Sequence, residues 1–427
     1  MSIEILSFIF LLVALLNLFY VLIIKKPSPK ESSKVLPKVS VMTYAYKNDW
    51  AGNVIKRKIE NFLHLNYPKN KYEIIVYDNG STGETLRICR EYAKRGLIKH
   101  YRSEKGYNRK GLVLDDAIRD VAKGDIIALT DPDGICERDW LMKHVNNLMS
   151  NKRISASIGM IFCGNWYKNL LTRMREIEDV WMMDVASLAR ERLSKVQFIC
   201  GANYSFKRKA WKDVGGHGHT LVEDAEIANR LQKRGWKIAV TDASVWQEEV
   251  EELRHFFIQR LRWYSTPLRF IFHKKKIISS FLSIIPWSIQ IVSLFSLIAF
   301  AFSSSLRLQI FSLLPFLISI LALIIGLFKM KEEKLVMFIP VYLTLDAVIS
   351  FICLMLARIL SAFNKEVRWE RLSKRKYYHN GTKIRVNNAE GRSFNYAQKS
   401  IVFEPTKELI HRLLKPAELT RLSDLRM

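Results

Sequence analysis

Apolar positions are gathered into two zones of the chain. Residues 5–24, "ILSFIFLLVALLNLFYVLII", form an uncharged run of membrane-spanning length. A second zone opens near residue 277. There "IISSFLSIIPWSIQIVSLFSLIAFAF" (277–302), "IFSLLPFLISILALIIGLF" (310–328) and "LVMFIPVYLTLDAVISFICLMLARIL" (335–360) each have the length to span. Between the zones the pattern shortens to β-rich runs: "KVSVMTY" (38–44), "YEIIVYD" (72–78), "LIKHYR" (97–102) and "DIIALTD" (125–131). Helix-compatible stretches at 51–64, 84–95 and 109–122 separate them. This alternation predicts an α/β domain with a parallel sheet and right-handed crossovers, in which ligands bind beyond the carboxyl ends of strands. The chain then divides into an anchor (1–26), a soluble domain (37–250), an amphipathic interface helix (251–272), about three transmembrane or re-entrant segments (277–360) and a basic tail (361–427).

Charge adds an orientation. The 67 lysines and arginines exceed the 41 acids by 26, and they crowd the flanks of the apolar runs at 25–26, 273–276 and 374–376. Anionic lipid headgroups explain that placement, whereas no nucleic-acid motif accompanies it. "KKPSPK" after the first span places the soluble domain in the cytoplasm, with the span retained as an anchor. Three C-terminal crossings would leave the basic tail outside, against the same rule. Either one segment lies along the interface or re-enters, Pro340 and Asp346 pointing to the last, or the tail is external despite its charge. Five cysteines without paired metal spacing fit reduced thiols.

Carboxylates at strand ends carry the candidate chemistry. "DPDG" (131–134) suits a type I turn. It also suits a hard-cation site, with Asp131 and Asp133 both reaching one divalent ion or the diphosphate it carries. Asp78 ends another predicted strand at the same sheet edge. In "GHTLVEDAEIANRLQKRGWKIAV" (218–240), Thr220 and Glu223 have capping-box spacing, while Asp224 falls in the first helical turn. Asp224 is there either as a partner of the helix dipole or as a general base. Gln259, Arg262 and Trp263 in "QRLRW" share one helix face, and Arg260 fits a snorkelling interfacial position. A planar cation beside an aromatic platform suits a diphosphate and a sugar ring.

These residues together resemble membrane-integrated family 2 glycosyltransferases, the group of cellulose, chitin and hyaluronan synthases. "KVSVMTYAYKND", "YEIIVYDNGST", "NRKGLVLDDAI", "TDPDG", "CGANYSFKRKAW…LVEDAEIANRL" and "QRLRW" follow one another in the family's order from about 37 to 265. The resemblance implies a GT-A (Rossmann-like) domain between the N-terminal transmembrane helix and the C-terminal ones. It implies that Asp78 contacts the nucleobase of a nucleotide sugar, UDP-sugar being favoured, and that Lys110 lies near its ribose or phosphates. Asp131 and Asp133 would bind Mg²⁺ or Mn²⁺ with the diphosphate, Asp133 being favoured as direct ligand. Asp224 would deprotonate the acceptor hydroxyl, with inversion at the anomeric carbon. Gln259, Arg262 and Trp263 would shape the acceptor end and hold the diphosphate. Two positions depart from the pattern: Asn79 replaces the second aspartate of Asp-Asp-Gly-Ser, and Tyr44 replaces a proline. His217 and His219 are open to substrate contact or plain solvation. The expected activity is sugar transfer to a growing polysaccharide or lipid-linked glycan. The alternatives are a single addition to a lipid acceptor, or an export subunit that lost its chemistry; the latter would show a broken aspartate set, and this one is intact.

Overall fold

A computed structural model describes residues 3–28, 30, 35–46, 53–103, 105, 107, 109–193, 196–218, 222–264, 282–362, 386–387 and 393–394. Residues Met1–Arg375 form one compact unit and Lys376–Met427 another. In the second unit, Val386–Asn387 pairs antiparallel with Ser393–Phe394. Most of the expected tail, and residues 265–281 with the end of the interface helix and the start of the second span, lie outside the described residues.

In the first unit, helix α1 (Ile3–Ile23) precedes β1 (Val39–Ala45), α2 (Asn53–Leu63), β2 (Tyr72–Asp78), α3 (Gly83–Lys94), β3 (Lys99–Arg102), α4 (Lys110–Asp120) and β4 (Ile126–Thr130). There follow β5 (Ile135–Cys136), α5 (Trp140–Met149), β6 (Ile154–Cys163), α6 (Leu170–Glu178), a π-helical stretch (Asp179–Val185) and α7 (Ala186–Arg192). Next come β7 (Asn203–Lys207), α8 (Arg208–Asp213), α9 (Glu223–Lys233), β8 (Lys237–Gln247) and α10 (Leu253–Tyr264). The apolar zone holds α11 (Ser288–Ala301), α12 (Leu306–Met330) and α13 (Ala347–Ala362).

The strands form a single sheet in the order β3-β2-β1-β4-β7-β6-β8-β5. Its first four strands run parallel, as the alternating pattern predicts. The second half, beyond the four strands that the alternating pattern covers, is mixed. Strand β7 pairs antiparallel with β4 and with β6, and β5 pairs antiparallel with β8. The run "NYSFK" reads like any other strand, and only its pairing reveals its direction. Period-two burial builds a core on each face. Met42, Ile75, Ile127 and Leu129 pack on one side with α4 and α9, while Val41, Ile74, Val76 and Ala128 pack on the other with α2, α3 and α5. Gly159 marks an irregularity in the β6–β8 ladder, where a Cβ would stand 2.2 Å from the Ala243 carbonyl oxygen.

Four helical segments are long and apolar enough to cross a membrane: Ile3–Ile23, Leu282–Ala301, Leu306–Met330 and Glu333–Leu360. Small polar groups link them. The Ser7 and Ser312 hydroxyls lie 2.8 Å apart, and the Asn17 amide donates to Ser288 Oγ at 3.2 Å. The last segment is irregular around Pro340, with a 3₁₀ stretch (Glu333–Phe338) and a π stretch (Tyr342–Asp346) before α13. Asp346 is wholly buried and accepts from Arg260 at 3.0 Å and from the Gln290 amide.

That contact corrects the interface-helix expectation for Arg260. Its guanidinium is 0 % exposed and bridges Glu178 to Asp346, because α10 packs against α13 and only its outer side is exposed. Removing one member of such a buried ionic set leaves an uncompensated charge, at a cost of about 3–5 kcal/mol. Arg260→Met is therefore expected to lower the unfolding midpoint of the detergent-solubilised protein. Adding Asp346→Asn should return part of the loss, and additive losses in the double variant would contradict the pairing.

Candidate functional site

The "DPDG" segment forms the turn its sequence suggests, with the Gly134 N–H donating to the Asp131 carbonyl at 3.2 Å. The turn is pinned from beneath by Lys58, which donates to the Gly134 carbonyl at 2.6 Å and to Thr130 Oγ1 at 3.2 Å. Lys58 is fully buried, and burial holds its ammonium below the usual lysine range. The sequence carries a signal for it that the motif reading passed over. On α2, Lys58 shares the apolar stripe of Ile55 and Phe62, three residues before and four after. Asp133 is buried as well, and its carbonyl accepts from Arg57 at 3.4 Å.

Above the turn, the first residue of α4 closes the site. Lys110 Nζ lies 2.6 Å from Asp131 Oδ1, 3.9 Å from Glu223 Oε1 and 4.6 Å from the centre of the Tyr44 ring. Burial opposes its charge, but Asp131 together with Tyr77, Glu223 and Tyr44 outweighs that effect and holds the ammonium well above the usual range. Glu223 and Asp224 open α9. The residue before the helix is Val222, and Thr220, the other member of the expected capping box, lies outside the described residues. The Glu223 carboxylate lies on the Lys110 side. Asp224 Oδ2 accepts from the Gly201 N–H at 2.7 Å, and Oδ1 accepts from the Ala225 N–H at 2.8 Å. A Cβ on Gly201 would meet Asp224 Oδ2 at 3.2 Å and Lys110 Nζ at 3.7 Å. Asp131, Lys110, Glu223 and Asp224 thus gather beside one glycine. Burial, with Asp131 adding to it, raises the Asp224 carboxyl above its ordinary range against the two N–H donors.

Asp78 stands apart from this cluster. It occupies the carboxyl end of β2, is 0 % exposed, and accepts from the Ser81 N–H and hydroxyl at 2.6 Å each. His100 Nε2 lies 2.8 Å away and Arg102 Nη1 2.9 Å away. Burial works against its charge, but the His100 and Ser81 hydrogen bonds prevail and hold the carboxyl below its usual range. Asp78 therefore has a structural task, clamping the turn that enters α3.

Of the "QRLRW" residues on α10, Gln259 is buried, and Trp263 lies against two guanidinium groups, 4.9 Å from Arg175 and 5.5 Å from Arg260. Arg262 is half-buried and forms no ion pair among the described residues. Arg175, absent from the sequence expectations, is held by Glu249 at 3.0 Å, Asp179 at 2.6 Å and Glu178. Cys200 lies between the two groups: burial raises its thiol, and Asp224, Asp131 and Asp179 add to the effect. His217 is internal, with Nδ1 2.7 Å from Asp115 and Nε2 2.9 Å from the Tyr204 hydroxyl. It is neither solvated nor open to substrate, and His219 lies outside the described residues. Among the described residues no three His, Cys, Asp or Glu side chains form a metal cage. Two carboxylates on a turn fit a divalent ion that arrives with a diphosphate and completes its shell from phosphate oxygens and water.

Residues 126–353 match the family model described as Glycosyl transferase family group 2. The probable glycosyltransferase YdaM of Bacillus subtilis is 30% identical over 245 residues, covering 56% of this chain and 57% of that protein. A beta-monoglucosyldiacylglycerol synthase of Nostoc sp. is 28% identical over 243 residues, covering 55% of this chain and 50% of its own. The chain thus spans about half the length of these curated relatives. The mannosyltransferase PcManGT of Pyrobaculum calidifontis, solved with GDP-Man and Mn²⁺, superposes with a TM-score of 0.55 at 20% identity. It covers 86% of this chain and 100% of that one, and shows a shared α/β fold of the GT-A class. With its family match running over more than half its length, from β4 into α13, the chain belongs to glycosyl transferase family group 2.

Proposed function

We propose that the chain is an inverting, metal-dependent glycosyltransferase that moves a sugar from a nucleotide-diphosphate sugar onto a glycan or lipid acceptor at the membrane. The observation that carries this reading is the cluster around Gly201, where a base candidate and a diphosphate-binding turn are linked by one lysine. Asp224 is the proposed base. Its two N–H donors fix the carboxylate, and its raised pKa brings it closer to the operating pH than an ordinary aspartate. Asp131 and Asp133 would hold Mg²⁺ or Mn²⁺, Asp133 as the direct ligand. When bound, that ion neutralises the charge that builds on the departing diphosphate. Lys110, kept cationic by Asp131, adds a fixed positive charge at the same place. Attack from the side opposite the leaving group, assisted by a single base, implies inversion and not the two-carboxylate arrangement of hydrolases.

Asp78 would support the nucleobase through the turn it clamps; a direct contact would compete with Arg102 and His100. Gln259 and Trp263 would form the acceptor end, with Arg262 free to reach the diphosphate. UDP-sugars remain the favoured donor class. The likeness to a beta-monoglucosyldiacylglycerol synthase supports a second reading, one sugar added to a lipid acceptor.

Asp224→Asn is expected to cut transfer by about 10²–10⁴-fold while nucleotide binding and the fold persist. Radiolabelled donor and isothermal titration measure the two, and a variant as active as the parent removes the base assignment. In the parent, products one sugar long select single addition, and long products select the synthase reading. The acidic limb of kcat/KM should lie above the ordinary aspartate value of 3.8, because protonated Asp224 cannot accept the acceptor proton. A limb at or below that value would show that another group titrates.

A further inference from the structure

A second polar cavity, of about 230 Å³, lies where α1 meets the domain. Its buried floor includes Asn147, Leu188 and Val240, and its exposed rim carries Lys25, Lys26, Lys30 and Arg192. Glu191 is the one carboxylate among the described lining residues, and its Oε1 is engaged by the Val240 N–H at 2.9 Å. Four cations against one acid leave the lining at +3. Among the described residues none of the four cations forms an ion pair. Burial of part of its side chain, with Lys331 nearby, holds the Lys26 ammonium below the ordinary range against Asp184 and Glu332. Glu191 lies near Lys30 and Arg192, and Asp184 and Glu332 lie near Lys26, yet the lining keeps a net positive charge that an anion would complement.

The cavity is not part of the candidate catalytic site. Strands β4 and β6 are parallel, since β7 runs antiparallel to both. Ile154, which lines the cavity, begins β6, whereas Asp131 follows the end of β4. The two sites occupy opposite edges of the sheet.

Its position selects the anion. Lys329, in the last turn of α12, donates to the carbonyls of Val21, Leu22 and Ile24 at 2.8, 2.9 and 3.2 Å. Two apolar helices therefore end at one level, and the cationic rim starts with the next residue. On the α1 surface just before it, Phe19 and Leu22 are 48% and 55% exposed. A ligand with a phosphate for the rim and hydrocarbon for that flank matches both surfaces. Given that α1 crosses the bilayer, the rim sits at headgroup depth.

We propose that this cavity is a binding site for the phosphate of an anionic phospholipid, which docks the domain against the membrane at the edge away from its chemistry. The test uses the full chain in neutral detergent, titrated with dioctanoyl phosphatidylglycerol, dioctanoyl phosphatidylcholine or inorganic phosphate, with thermal unfolding and native mass spectrometry as readouts. The anionic lipid should bind at least tenfold more tightly than the choline lipid. Lys26→Gln with Arg192→Gln should remove that preference and leave turnover in detergent unchanged. Should the double variant fail to fold, Lys30→Gln, at an exposed position, must still weaken binding severalfold. An equal response to inorganic phosphate would assign the site to a soluble anion and overturn the lipid proposal. So would the absence of a preference in the parent, or its survival in the variants. The lipid-binding readouts do not depend on sugar transfer, so they stand or fall separately from the proposed activity.

Discussion

The ionic lattice centred on Arg175 and Arg260 is the constraint on which the rest of the architecture depends. Four carboxylates from three parts of the chain, Glu178 with Asp179, Glu249, and Asp346, hold these two guanidinium groups away from water. Such a set gains little net stability over apolar packing, since desolvation consumes most of the attraction. What it provides is registration. The planar guanidinium forks accept only a narrow range of positions, so α6, α10 and the last apolar segment have one way to fit together. Both π-helical stretches fall in this region, one carrying Asp179 and the other ending in Asp346. An extra residue per turn redirects side chains locally, as is often seen near functional sites.

The same lattice stands behind the proposed acceptor side of the site. Trp263 rests on Arg175 and Arg260, and neither can shift without disturbing the carboxylates that hold it. On the proposed donor side rigidity comes from backbone: the Lys58-pinned turn at the end of β4 and the Gly201 N–H that fixes Asp224. Parallel strands bring Asp78 and Asp131 to one sheet edge, as is general for open α/β sheets. The side-chain alternation then separates them. Tyr77 faces the Lys110 cluster, and Asp78, one residue on, points into the Ser81–Arg102 clamp.

The sequence made the parallel half of the sheet, the four apolar segments and the gathering of Asp131, Lys110 and Asp224 legible, because each rests on local pattern or on residues at strand and helix ends. What it concealed was non-local. The direction of β7 depends on its neighbours rather than on "NYSFK". Arg260 has the composition of a headgroup-level arginine, and only the partner at Asp346, far along the chain, gives it a buried role. His217 sits in a glycine-rich segment that suggests solvent, but Asp115 on α4 pulls it inside. In each case a long-range charge or hydrogen bond outcompeted a local preference.

Asp346 has a consequence for biosynthesis. A lone aspartate in the middle of an inserting segment costs about 2.5–3.5 kcal/mol at the translocon. Its counterion, Arg260, lies 86 positions earlier in the chain and is translated first. The α/β domain can therefore present a waiting cation as the last apolar helix leaves the ribosome. Synthesis from the amino end thus places the Arg260 guanidinium ahead of the segment whose carboxylate it neutralises.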